Sequence, residues 1–174
     1  RAVFEQAEVF VITLGLNEAW QYLPDETYIS RNPRNQNMRG LLTHRKLTVQ
    51  ENIDHLQRFI DIVRHHNPNL KLIISVSPVP FMATGRADKH HVITANTHSK
   101  AVLRVAAEEI VERNKDVFYF PSYEVVTVCS KEIWTEDQRH IHPSAVARVM
   151  DLFDEMFLTR AAKNLEKLQA AEGA

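Results

Sequence analysis

The stretch Glu8–Trp20, EVFVITLGLNEAW, decides how the rest of the chain is read. Val9, Phe10, Val11, Ile12 and Leu14 make a short apolar run rich in β-branched and aromatic residues. Such a run predicts a strand buried on both faces, the kind found in a parallel sheet. It stops at Gly15, a residue type that lets the chain turn tightly and lets other groups approach the backbone. Asn17 and Glu18 follow at once. In an open α/β sheet, ligands bind outside the carboxyl ends of the strands. These two residues therefore stand where chemistry is expected. The plainer reading is a strand-to-helix turn with Asn17 as a cap, and the stretch taken alone favours it.

Two further apolar runs extend the pattern. Lys71–Val76, KLIISV, predicts a second buried strand, ended by Ser77-Pro78-Val79-Pro80 because proline cannot continue a central ladder. Val117–Phe120, VFYF, predicts a third, closed by Pro121. Between the first two, Thr48 and Glu51 form a capping box. Ile53, Leu56, Phe59, Ile60 and Val63 then recur at helical spacing, to about His65. A second helix is expected from Thr94 or Asn96 to about Asn114, with Val102, Val105, Ala106, Ile110 and Val111 inward. Pro143 suits the first turn of a last helix carrying Val146, Val149, Met150, Phe153, Met156 and Phe157. Residues 21–47 read as a long polar excursion over the sheet ends with room for a short hairpin, and 122–135 as irregular. Strand alternating with helix predicts an α/β fold: three layers around a parallel sheet. Residues 1–158 form the domain on this reading, and 159–174 a charged, Ala-rich helical tail.

The composition sets limits. The chain has 174 residues, with 44% hydrophobic, 25% charged and a net charge of -1. No basic face stands out, which argues against nucleic acid as a partner. No apolar run approaches the roughly 18 residues that span a bilayer. Cys129 is the only cysteine, so neither an internal disulfide nor a multi-thiolate metal site is available. A buried first strand needs a neighbour on each side or an exposed edge. Residues upstream of Arg1 are therefore expected, and failing them an edge open to pairing with another chain.

Asp137 and His140 are the second marker. Three residues apart, between the last strand and the last helix, they allow the carboxylate to accept a hydrogen bond from the imidazole. That contact fixes the tautomer and stabilises the imidazolium, as the acid of a Ser-His-Asp triad does. A lone D-x-x-H is more often two surface residues, and His142, followed by Pro143, competes for the role. No phosphate cradle, dinucleotide fingerprint or G-x-S-x-G elbow is present, and no metal or cofactor is called for. Ser77 precedes Pro78 and suits a pocket wall better than a nucleophile.

Together these segments resemble a known family. Gly15-Leu16-Asn17-Glu18 resembles the third block, G-x-N-D, of the SGNH hydrolases, with Glu in place of Asp. Asp137-Gln138-Arg139-His140 resembles their fifth block, D-x-x-H. More narrowly, TLGLNEAW (13–20), SPVP (77–80), ANTHSKAVLR (95–104), YFPSYE (119–124) and DQRH (137–140) resemble the GSCFA domain family, a bacterial SGNH-like branch. The resemblance implies a flavodoxin-like sheet with an esterase or acyltransferase site at the strand ends. His140 would be the general base and Asp137 its orienting carboxylate. Gly15 and the Asn17 amide would serve the oxyanion, and Glu18, Trp20 and Ser77 would line the substrate pocket. The substrate implied is an O-acyl ester, of a small molecule or a saccharide. In that family the serine nucleophile lies in the first blocks, and this chain holds no G-S-C-F-A motif. The chain alone is thus expected to be inert. The competing reading is a non-catalytic binding module on the same fold.

Overall fold

The computed structural model describes residues 2–29, 38, 40–137 and 140–158. In chain order the elements are α1 (Ala2–Gln6), β1 (Val9–Leu14), β2 (Glu18–Tyr22), β3 (Tyr28–Ile29), β4 (Leu42–Lys46), α2 (Val49–His66), β5 (Lys71–Val76), α3 (Val92–Arg113), β6 (Val117–Phe120), α4 (Ser122–Thr127) and α5 (Pro143–Phe157). They form two compact units, Arg1–Phe120 and Pro121–Ala174. The tail expected over 159–174 lies outside the described residues.

The three apolar runs build one parallel sheet in the order β1-β5-β6. Phe10 stands opposite Leu72, Ile12 opposite Ile74, and Leu72 opposite Val117. Phe10, Ile12 and Leu14 turn the same way and pack with Leu72 and Ile74 against Ile53, Ile60 and Val63 of α2 and Ala106, Ala107 and Ile110 of α3. Each of the fully buried Ile, Leu and Val side chains among them is worth about 1.5–3 kcal/mol. The fold is α/β, as the alternation of strand and helix requires for a flavodoxin-like sheet.

β1 departs from expectation. Val9 and Val11 are 44% and 55% exposed, so the strand is not buried on both faces. Among the described residues β1 pairs only with β5, which leaves it at the edge of the sheet. Its apolar residues therefore divide between a covered face and an open one.

The helix starts follow their caps. Thr48 accepts from the Glu51 backbone N–H, and the Glu51 carboxylate accepts from the Thr48 N–H at 2.8 Å. A cap of this kind is worth about 1 kcal/mol. Arg45 at the end of β4 reaches the same carboxylate at 2.7 Å.

Three expectations are corrected. No helix follows Gly15: β2 begins at Glu18 and joins β3 and β4 in a three-stranded antiparallel sheet. The polar excursion of residues 21–47 thus supplies two strands of that sheet. Residues 122–127 form the short helix α4. Of α5 only Ala145 is fully buried, while Val146, Met150 and Met156 are exposed. Within its unit α4 packs against this helix, and Arg148 of α5 donates to the Cys129 carbonyl.

Candidate active site

The turn leaving β1 is held from below by α3. Asn17 is fully buried, and its backbone N–H donates to Ser99 Oγ at 2.8 Å. Its side-chain Nδ2 donates to Leu47 O at 3.0 Å, and its own carbonyl accepts from Leu47 N at 2.8 Å. Asn17 is therefore not a helix cap. Its Oδ1 is buried with no hydrogen-bond partner among the described residues. Lys100 is 1% exposed, and its Nζ donates to the Gly15 carbonyl at 3.0 Å. Burial alone pushes this ammonium down to about 8. A Cβ added at Gly15 would meet nothing within 4 Å, so neither crowding nor a positive φ demands glycine there.

Ser99 and Lys100 lie within the ANTHSKAVLR segment (95–104), but the sequence assigns neither a role. A signal is nonetheless present: Ala95, Ser99, Leu103, Ala106 and Ile110 recur at helical spacing, with Lys100 next to that stripe. Val105, expected inward, is exposed instead.

Glu18 opens β2 as the centre of a second cluster. Its side chain is 7% exposed. It accepts from Thr84 Oγ1 at 2.8 and 2.9 Å, Gly85 N at 3.1 Å, Arg86 Nε at 2.9 Å and His44 Nε2 at 3.2 Å. Burial raises the carboxyl pKa, but these donors and the His44 charge outweigh it and hold the group below the usual value. The fit is close, since a Cβ at Gly85 would come 2.2 Å from the His44 ring. Trp20, half-buried, stacks edge-on against His44 with ring centroids 5.3 Å apart. The cluster pins the 84–86 loop to β2 and β4. His44, Thr84 and Arg86 carry no sequence pattern that singles them out.

Ser77 continues the sheet: its N–H donates to Leu14 O at 2.9 Å, and its Oγ accepts from Val79 N at 3.2 Å. The hydroxyl thus closes a short turn into the SPVP segment.

In the second unit, Asp137 grips His140 twice. One carboxylate oxygen accepts from the His140 backbone N–H at 2.9 Å, and the other meets the ring Nδ1. Thr135 Oγ1 donates to the first oxygen at 2.7 Å. The loop is pinned by Thr135 N to His140 O and His142 N to Ile133 O, both 2.9 Å. The contact assigns the proton to Nδ1 and leaves Nε2 as an acceptor. The ring is 74% exposed. His142 serves the helix instead, because its Nδ1 accepts from Ser144 N at 3.3 Å and caps α5. Gln138 and Arg139 lie outside the described residues.

Among the described residues no helix is long and apolar enough to cross a membrane. No match was found among curated proteins or among solved structures. The GSCFA family model matches residues 1–153. The five sequence motifs and that match agree: this chain belongs to the GSCFA family.

Proposed function

We propose that the chain carries part of an SGNH-type site that hydrolyses or transfers O-acyl groups, a saccharide ester being one such substrate. The observation that carries this reading is the double contact of Asp137 with the backbone and the ring of His140. It does for an imidazole what the acid of a hydrolase triad does: it sets the tautomer and the ring direction and stabilises the imidazolium. His140 Nε2 would take the proton of a serine hydroxyl as that oxygen attacks the ester carbonyl, then return it to the leaving alkoxide. In this reading Asn17 serves the oxyanion through the Nδ2 hydrogen not given to Leu47, with Gly15 beside it. Glu18, Trp20 and Ser77 would shape the substrate pocket. The 174 residues contain no G-S-C-F-A motif. The nucleophile is accordingly assigned upstream, on a segment whose strand would add to the free edge of β1.

The test compares the 174-residue chain with a natural chain extended upstream. Only the extended chain should hydrolyse an activated acetyl ester and take up a fluorophosphonate label. Turnover by the short chain, abolished by Ser77→Ala, would overturn the assignment. An extended chain that binds a saccharide ester but takes no label would favour a binding module.

A further inference from the structure

The buried Lys100 has no part in the mechanism above. A lysine 1% exposed is costly unless something uses its charge. Its ammonium carries three N–H groups. Among the described residues its only acceptor is the Gly15 carbonyl, at 3.0 Å. That carbonyl belongs to the Gly15–Leu16 peptide, which is trans. In a trans peptide the C=O and the N–H point in opposite directions. The Leu16 N–H therefore points away from Lys100. It has no acceptor among the described residues, and Leu16 is 52% exposed. The next residue is locked, with Asn17 N on Ser99 Oγ. The turn thus presents the Leu16 N–H as a free amide donor at the carboxyl end of β1.

We propose that Lys100 is a positioning residue, whose ammonium fixes and polarises the Gly15–Leu16 peptide so that the Leu16 N–H serves as a further donor to an oxyanion. A hydrogen bond accepted at one end of a peptide strengthens the donor at the other. An ammonium makes a stronger hydrogen bond than a neutral donor. A donor held before the reaction begins needs no reorganisation when charge develops. The ligand class is an oxyanion: a carboxylate, or the tetrahedral intermediate of acyl transfer. The inference rests on the esterase reading for its use, but not for its geometry.

The experiment has two arms. In the labelled 174-residue chain, the Gly15 carbonyl carbon and the Leu16 amide are followed by NMR against pH. Both should shift with the same midpoint as the Lys100 side-chain carbon. Independent behaviour would overturn the proposal whatever the enzyme does, and this arm needs no variant to fold. In the extended enzyme, Lys100→Met should lower kcat about tenfold, less than loss of a whole donor. KM should stay within about twofold, and Lys100→Arg should recover part of kcat. Unchanged kcat in Lys100→Met would overturn the proposal even with coupled titrations. A wild-type extended chain without esterase turnover would refute the proposed function. The titration arm would still decide whether Lys100 controls the peptide.

Discussion

Two of the carboxylate–histidine pairs among the described residues are built for opposite ends. Glu18 and His44 are 3.2 Å apart, with side chains 7% and 17% exposed. Thr84, Gly85 and Arg86 occupy the same carboxylate. Asp137 and His140 are 47% and 74% exposed, and the ring's Nε2 faces no such crowd. The first pair is buried, saturated with donors and tied to a loop 66–68 residues away in sequence. The second spans three residues and leaves one ring nitrogen open to work. A buried carboxylate saturated by donors from a distant loop braces the fold, whereas an exposed one set against an imidazole can tune a base. Pairing by itself does not mark a catalytic residue. What matters is what the pair leaves free.

The sharpest way to break this contrast is at the two histidines. His140→Ala in the extended enzyme should cut kcat by about a thousandfold or more, while leaving stability within about 0.5 kcal/mol. His142→Ala should spare most of the turnover, and kinetics on both variants would expose a reversed assignment. Glu18→Gln should do the opposite. Arg86 would lose its partner in a poorly solvated place, at a cost of about 3 kcal/mol in chemical denaturation. That stabilisation also has a pH signature. The folded Glu18 carboxyl lies below the ordinary 4.5. Its contribution is therefore fully present above the unfolded value and fades as pH falls through the lower folded one. Melting curves of wild type and Glu18→Gln should converge below pH 4.5.

Asn17 shares traits of both pairs. The sequence places it in the site, and the fold buries it fully. Asn17→Ala leaves Leu47 O without its donor, and stability should drop by about 1–3 kcal/mol. If the amide also serves the oxyanion, kcat in the extended enzyme should fall about 100-fold. A stability loss with intact kcat would make it a strut like Glu18. The smallest effect belongs to His142→Ala, which removes a helix cap worth about 1 kcal/mol or less.

Much of the fold was legible because its signals are short-range. The capping box at Thr48 needs only Glu51, three residues on, and it starts α2 where expected. The β5 and β6 boundaries follow from apolar runs stopped by Pro78 and Pro121. Asp137 and His140 were within reach of the same logic, because their contact closes inside one turn. β2 escaped it, since the half-buried EAWQY takes its register from β4, over twenty residues later.

By itself, then, the amino-acid sequence determined the alternation of strand and helix, the ends of most elements and the Asp137–His140 pair. Each depends on neighbours a few residues apart, whose geometry is settled by rotamers, caps and periodicity. Only the tertiary structure decided that β1 lies at an edge among the described strands, that Glu18 is buried among Thr84, Gly85, Arg86 and His44, and that Ser99 and Lys100 grip the turn at Gly15 and Asn17. Those last contacts join residues 82 and 85 positions apart. No local rule selects such partners. They are chosen when α3 packs on the sheet and its inward face, polar residues included, must find acceptors or donors there.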